Sequence, residues 1–319
     1  MREKEIVLSI VIPAYNAEKT IVRALESVKN PSPLCVVEVI IVNDGSTDGT
    51  RKICSGYIKK NKGNGTMFRL INQRNAGHGS AINYAIKHAK GKYLRVLDAD
   101  DYFDCRYYEK YLKFLLKNDS DLVCSDYEHV TLERREKFNW YFRKMSIIDQ
   151  NYDGVISRTT PYLLPCAAVK TIILRANNVV LDEKCYYDDQ EYDLSIIAFC
   201  RTVSYFPYVI YCYVIGRDEQ SISQNSLIKN IKDHQKVIQR LICCYYDMEL
   251  SDEKKDFVFS KILVPLCYQQ YFIAVKLKKS KKDFLSFDNF LKNYDKLYNH
   301  GGVAGKKLIF HRLTRGLFI

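Results

Sequence analysis

The chain has 319 residues, 47% of them hydrophobic and 27% charged, with only 14 Gly and 7 Pro. That composition excludes disordered, collagen-like and repeat architectures, and it allows one substantial core plus a smaller second unit. The net charge of +12 is uneven: residues 226–319 hold 18 Lys/Arg against nine Asp/Glu, a bias that suits anionic lipid, phosphorylated substrates or a solvated basic surface and makes no case for nucleic acid by itself.

The charged opening Met1-Arg-Glu-Lys-Glu5 runs straight into an apolar strand, so no secretory signal is expected. The eleven cysteines are odd in number and form no C-x-x-C pair, which points to reduced structural thiols in a cytoplasmic protein and no zinc site. Leu8–Ile12 and Val36–Val42 are apolar runs of the kind found in parallel strands covered on both faces. Between them, Glu18–Lys29 sets Ile21, Ala24, Leu25 and Val28 at helical spacing. A third strand is expected near Phe68–Ile71, a helix over Ser80–Ala89 ending at Gly91, and a fourth strand over Tyr93–Leu97. This βαβαβαβ order predicts a doubly wound, open, mostly parallel α/β sheet flanked by helices.

Past Asp101 the spacing predicts a helix near Cys105–Lys117, a short strand over Asp121–Ser125 and an irregular charged stretch to Gly154. A helix over Tyr186–Phe199 is expected to start at its acidic cluster, and Val203–Ile215 reads as two strands or one bent strand. From Ser226 the pattern is mainly helical and basic. The expected organisation is therefore an α/β domain over 1–225, in two parts (1–102 and 103–225), with a helical extension over 226–319. Within the extension, Phe257–Leu277 is apolar but interrupted by Lys261, Gln269 and Gln270; it reads as a packed helix, with a membrane-associated segment as the alternative.

Open α/β sheets bind ligands beyond the carboxyl ends of their strands. Four polar clusters fall on that one rim: Pro13-Ala-Tyr-Asn16, Asn43-Asp-Gly-Ser46, Asn75-Ala-Gly-His-Gly79 and Asp98-Ala-Asp-Asp101. Alone, Asp98 and Asp100 read equally well as an acidic turn or as oxygen ligands for Mg²⁺ or Mn²⁺; their convergence with the other clusters favours the cation. Asp44 lies at a strand end, where it can accept hydrogen bonds from a ribose or base, while Thr47 or Asp48 is placed to cap the next helix. Gly77 and Gly79 lack the third glycine of a dinucleotide fingerprint. They read either as a plain loop or as a place where backbone approaches an anion. Asp188 with Glu191 has the spacing of a capping box, and Asp189 beside it can serve as a general base.

Ser9-Ile-Val-Ile-Pro-Ala-Tyr-Asn16, Ile41-Val-Asn-Asp-Gly-Ser-Thr-Asp48, Asn75-x-Gly77 and Leu97-Asp-Ala-Asp-Asp101 together resemble the bacterial-type family 2 glycosyltransferases of the GT-A (Rossmann-like) fold. The resemblance is close over residues 7–105 and returns at Tyr187–Tyr192 and at Gly216–Ser221. It implies an inverting, metal-dependent transferase acting on a nucleotide-sugar, by default a UDP-sugar, with hexosyl or N-acetylhexosaminyl groups as cargo. Pro13, Tyr15 and Asp44 would frame the base and ribose, with Asn16 among the nucleotide-binding residues. Asn75 and Gly77 would line the nucleotide pocket, and Asp98 and Asp100 would form the D-x-D pair on ribose and on a Mn²⁺ or Mg²⁺ bound to the diphosphate. Asp189 would be the base. The family often has Glu where Asp188 stands, so either carboxylate is open as the one facing the acceptor.

Arg217 and His78 are placed to add positive charge near the diphosphate, or else to be loop surface. The acceptor implied is a glycan or lipid-linked hydroxyl in polysaccharide, glycolipid or glycoprotein synthesis. The tail Lys306–Ile319 mixes basic and apolar residues, suiting either the inner membrane face or a packed helix. A nucleotidyltransferase would need a Gly/Arg-rich phosphate loop where Pro13–Asn16 stands. A non-catalytic binding protein with a decayed site would not be expected to retain acids at 44, 98, 100 and 189.

Overall fold

The computed structural model describes residues 5–30, 32, 34–61, 65–131, 133–141, 147–216, 220 and 223–300. They belong to two compact units, Met1–Gly216 and Arg217–Ile319. Arg217 and the tail Lys306–Ile319 lie outside the described residues.

The first unit opens with β1 (Ile6–Ala14), α1 (Ile21–Ser27), β2 (Val36–Asp44), α2 (Thr50–Lys60), β3 (Thr66–Gln73), α3 (His78–His88) and β4 (Tyr93–Val96). Then come β5 (Tyr102–Phe103), α4 (Cys105–Lys117), β6 (Leu122–Val130), β7 (Arg135–Phe138), β8 (Ile147–Asn151), α5 (Asp153–Ile156), β9 (Ala167–Lys170), α6 (Thr171–Ala176), α7 (Asp189–Phe199) and β10 (Thr202–Val214). One ten-stranded sheet runs β3-β2-β1-β4-β9-β6-β10-β5, with β7 added to β6 and β8 to β10. The strands β3, β2, β1 and β4 are mutually parallel, so their carboxyl ends share a rim. Burial on both faces explains the apolar runs of β1 and β2, whereas β3 is mostly half-buried. Ser9, the polar break in β1, donates to Glu38 Oε2 at 2.6 Å, and Arg69 pairs with the same buried carboxylate.

Beyond β4 the sheet turns mixed: β9 is antiparallel to both β4 and β6, while β10 is parallel to β6. The stretch expected to be irregular contains β7 and β8, whose outward-facing polar residues hide them from periodicity. Val203–Ile215 is not two strands but the single β10, whose register against β6 shifts between Phe206 and Val209, around Pro207.

The second unit contains α8 (Gln224–Lys229), α9 (Ile231–Asp247), α10 (Asp252–Val258), α11 (Val264–Phe272), α12 (Lys281–Leu291) and α13 (Asp295–Tyr298). Ser223, Ser251 and Ser280 start α8, α10 and α12, each accepting a hydrogen bond from the backbone N–H three residues on. Wide π-helical turns at Phe259–Leu263 and Ile273–Leu277 join α10 and α11 into one 26-residue run, Asp252–Leu277. The first of these turns leads straight into Pro265, which has no N–H to give a helix. By length and composition the run can cross a membrane, yet 56% of its most apolar stretch is buried inside the protein. Its Gln270 is fully buried and meets His234 Nδ1 at 2.7 Å, a polar contact suited to a packed helix.

Candidate active site

The rim site begins with three loops locked to one another. Asn16 takes a left-handed backbone (φ 50°) just past β1, and its side-chain oxygen accepts from Thr47 N–H at 2.8 Å. Asp48 accepts from Thr50 N–H at 3.0 Å and Glu18 N–H at 3.1 Å, tying the start of α2 to the β1 loop; the N-cap itself is Gly49, so neither Thr47 nor Asp48 is the cap residue. Pro13 is buried within β1, whereas Tyr15 is 54% exposed at the rim.

Asp44, at the end of β2, is 4% exposed. Its Oδ1 accepts from Gln73 Nε2 and Ala76 N–H, and its Oδ2 from Gly77 N–H, each at 2.8 Å. The carboxylate therefore builds the 75–77 loop, and only lone pairs beyond these three bonds are left for a ribose or base. Asn75 is exposed on that loop, its backbone packed against Gly45 (φ 71°).

Gly77 (φ 92°) and Gly79 do permit a close approach, but to the chain itself. A methyl at Gly77 would come within 2.8 Å of Lys184 N, and one at Gly79 within 2.9 Å of Asp188 Oδ2. Both glycines are therefore required by packing against segment 182–188.

His78, between those glycines, joins two acids 90 residues apart in the chain. Its Nδ1 lies 2.9 Å from Asp188 Oδ2 and its Nε2 3.1 Å from Asp98 Oδ1. Burial opposes charge on the ring, but the Asp188 and Asp98 carboxylates outweigh it and hold its pKa well above the ordinary histidine value. Asp188 accordingly does not cap α7: its side chain makes no cap hydrogen bond, and Glu191 accepts from Asp182 N–H at 2.8 Å instead. The expected capping box is thus absent, because both side chains have partners outside the helix.

Asp98, Asp100 and Asp101 bring carboxylate oxygens within 4.8 Å of one another. Asp101 is fully buried; its Oδ2 accepts from the Tyr211 hydroxyl and its Oδ1 from Val214 N–H, both at 2.7 Å. Tyr211 also accepts from Asp98 N–H at 3.3 Å, so β10 grips the whole acidic loop. Burial, then the charges of Asp98 and Asp100, push the Asp101 pKa well above its ordinary value. An all-oxygen cluster under this mutual repulsion fits a hard divalent cation such as Mg²⁺ or Mn²⁺. Arg23 of α1 closes the other side, donating to the Asp100 carbonyl at 2.6 Å and lying over the Tyr102 ring.

Asp189 is partly exposed at the first turn of α7 and accepts from Gln190 Nε2 at 3.1 Å. Burial, followed by the neighbouring Asp188, raises its pKa to about 6. The phenol of Tyr213 on β10 is also pushed up, by burial and then by Asp98, Asp101, Asp100 and Asp189. Sequence reasoning placed Asp101 in the rim cluster without a role of its own, and missed Arg23, Tyr211 and Tyr213. The doubled acid at 100–101 was a visible signal for Asp101; the others act through pairings that no local spacing encodes.

The model of the family Glycosyl transferase family 2 matches residues 9–169, just over half of the chain. An uncharacterized glycosyltransferase of Mycoplasma genitalium is 33% identical over 165 residues, 50% of this chain and 53% of that protein. The poly(ribitol-phosphate) beta-glucosyltransferase of Bacillus spizizenii is 29% identical over 221 residues, 68% of this chain and 33% of that protein. Both matches span well under two thirds of the relative's own length. Among solved structures, S. aureus TarS 1–349 in complex with UDP-GlcNAc superposes with a TM-score of 0.68 at 20% identity, covering 91% of this chain and 83% of that one. The mannosyltransferase PcManGT of Pyrobaculum calidifontis, in complex with GDP-Man and Mn²⁺, gives 0.56 at 16% identity, covering 99% of this chain and 82% of that one. The fold is that of the GT-A glycosyltransferases.

Proposed function

The chain belongs to glycosyl transferase family 2, and on that premise we propose that it moves a sugar from a nucleotide-sugar donor onto an acceptor hydroxyl with inversion at the anomeric carbon. The observation that carries this reading is the meeting, through His78, of the acidic loop 98–101 with the acid pair 188–189 at the carboxyl rim of a parallel sheet. Transfer needs a place for a diphosphate and a base for a hydroxyl, and these two clusters supply them side by side.

In the reaction the acceptor oxygen attacks the anomeric carbon, the bond from that carbon to the phosphate oxygen breaks, and the nucleoside diphosphate departs. The hydroxyl proton passes to Asp189. With a pKa near 6 this carboxylate is a stronger base than an ordinary aspartate and is still mostly ionised at neutral pH. Asp98 and Asp100, with Asp101 behind them, would hold Mg²⁺ or Mn²⁺; when bound, such an ion neutralises charge on the leaving diphosphate. Asp44, Asn16 and the 75–77 loop form the wall against which the base and ribose lie, and Tyr15 offers them an exposed ring. Asp188, bound to His78, positions rather than accepts.

UDP-sugars are the first donors to test, since TarS was captured with UDP-GlcNAc. A polysaccharide or lipid-linked acceptor agrees with the polymer-modifying relative from Bacillus. Thermal shift and donor hydrolysis across UDP- and GDP-sugars, with and without Mn²⁺, test the reading for wild type and Asp100→Ala. Metal-dependent stabilisation by one donor, lost in the variant, supports it. No response to any donor would leave a folded protein with a non-catalytic rim.

A further inference from the structure

The second unit carries an aromatic and basic surface of its own. Along the run Asp252–Leu277, residues Lys261, Pro265, Tyr268, Phe272 and Lys276 are exposed, and their spacing of three or four places them on one helix face. Tyr268 is 54% and Phe272 43% exposed, while Cys267, Gln270, Tyr271 and Ile273 beside them are buried. Two adjacent aromatic rings thus stand in solvent on a helix whose other side is already packed.

The charge around them has a single sign. From Phe257 to Lys282 the chain has six lysines and no acidic residue. Lys261 flanks the aromatic pair on one side; Lys276, Lys278, Lys279, Lys281 and Lys282 follow it on the other, all exposed. Among the described residues, Lys278 pairs with Asp283 at 3.0 Å.

We propose that this face is a docking surface for an anionic phospholipid membrane, with Tyr268 and Phe272 entering the headgroup–acyl boundary and the flanking lysines meeting lipid phosphates. A lipid surface offers apolar depth and negative charge together, which is what the two halves of the face require. A soluble polyanion would engage the lysines but leave Phe272 unpaid for. A second copy of the chain, docking through the same face, would set lysines against lysines.

The test is partition of the full chain onto vesicles, read by co-sedimentation and independent of catalysis. Wild type is expected to bind phosphatidylglycerol/phosphatidylcholine vesicles at least tenfold better than pure phosphatidylcholine vesicles, and to be released by high salt. Tyr268→Ser/Phe272→Ser should lower the partition coefficient at least tenfold, and so should Lys276→Gln/Lys279→Gln/Lys282→Gln. Since all five side chains are exposed, both variants should keep the wild-type Tm. Three results would overturn the proposal. One is wild-type partition by the aromatic variant, which would put the contact elsewhere on the chain. Another is tight binding to soluble polyphosphate that survives loss of the two rings, with no preference for vesicles. The third is a solution dimer that dissociates when the rings are removed.

Discussion

His78 stands between Asp98 and Asp188, one ring nitrogen 3.1 Å from the first and the other 2.9 Å from the second. The imidazole ties the acidic loop after β4 to the start of α7, where Asp189 stands. Replacing it with Gln removes a cation between two acids. We expect His78→Gln to lower kcat/KM by about 10²-fold, the scale on which misplacing a catalytic group by an ångström acts. Steady-state kinetics with saturating Mn²⁺ check this.

The same contact has a signature in stability. A histidine whose pKa is raised on folding stabilises the native state fully below its unfolded value near 6.5, and loses that contribution as pH rises through the folded value. Without metal, the gap in Tm between wild type and His78→Gln should therefore be widest at pH 6 and close as the pH moves well into the alkaline range. Thermal melts in chelator across that range measure it.

Asp189 predicts the acidic limb of the rate profile. With a pKa near 6, protonation removes the base as pH falls, so kcat/KM should drop tenfold per pH unit below about 6 and level off above 7. Asp189→Asn should abolish transfer while leaving nucleotide binding intact. The sign on stability is opposite to that on activity. A carboxylate whose pKa is raised on folding weighs on the native state at neutral pH, so the amide should raise Tm by about 1–3 °C.

Tyr211 reaches the acidic loop from behind. Tyr211→Phe removes the hydroxyl that donates to Asp101 and accepts from Asp98 N–H, leaving the buried Asp101 with its Val214 bond alone. A lost hydrogen bond to a buried charge is worth about 1.5–3 kcal/mol. We expect Mn²⁺ affinity, read by titration of donor-binding stabilisation, to fall about tenfold or more with the fold retained.

Gly79→Ala would press a methyl against Asp188 Oδ2 and the Asp182 carbonyl. Overpacking of this kind costs about 1–3 kcal/mol, and here it also pushes Asp188 off His78. Lower Tm and lower kcat together are expected. Gly154→Ala, with no atom within 4 Å of the added carbon, is the control and should change neither.

In the first hundred residues β1 and β2 were legible because they are buried on both faces, as in the run Val36–Val42. The rim clusters were legible for a related reason: parallel strands put all their carboxyl ends together. What escaped was whatever depends on a partner far away in the chain. Asp188 and Glu191 have capping-box spacing, yet one turns to His78 and the other to Asp182 N–H. Arg135–Phe138 and Ile147–Asn151 pair as strands with largely exposed residues, so no alternation announces them. The span of β10 was legible, but two strands and one bent strand stayed open there; the single strand shifts register against β6 between Phe206 and Tyr211.

Asp44 is bonded to Gln73, Ala76 and Gly77. The wall that the proposed nucleotide would meet is therefore braced by the chain's own hydrogen bonds. A loop held in this way has less freedom to lose when a ligand docks on it, so less of the free energy of association goes into ordering it.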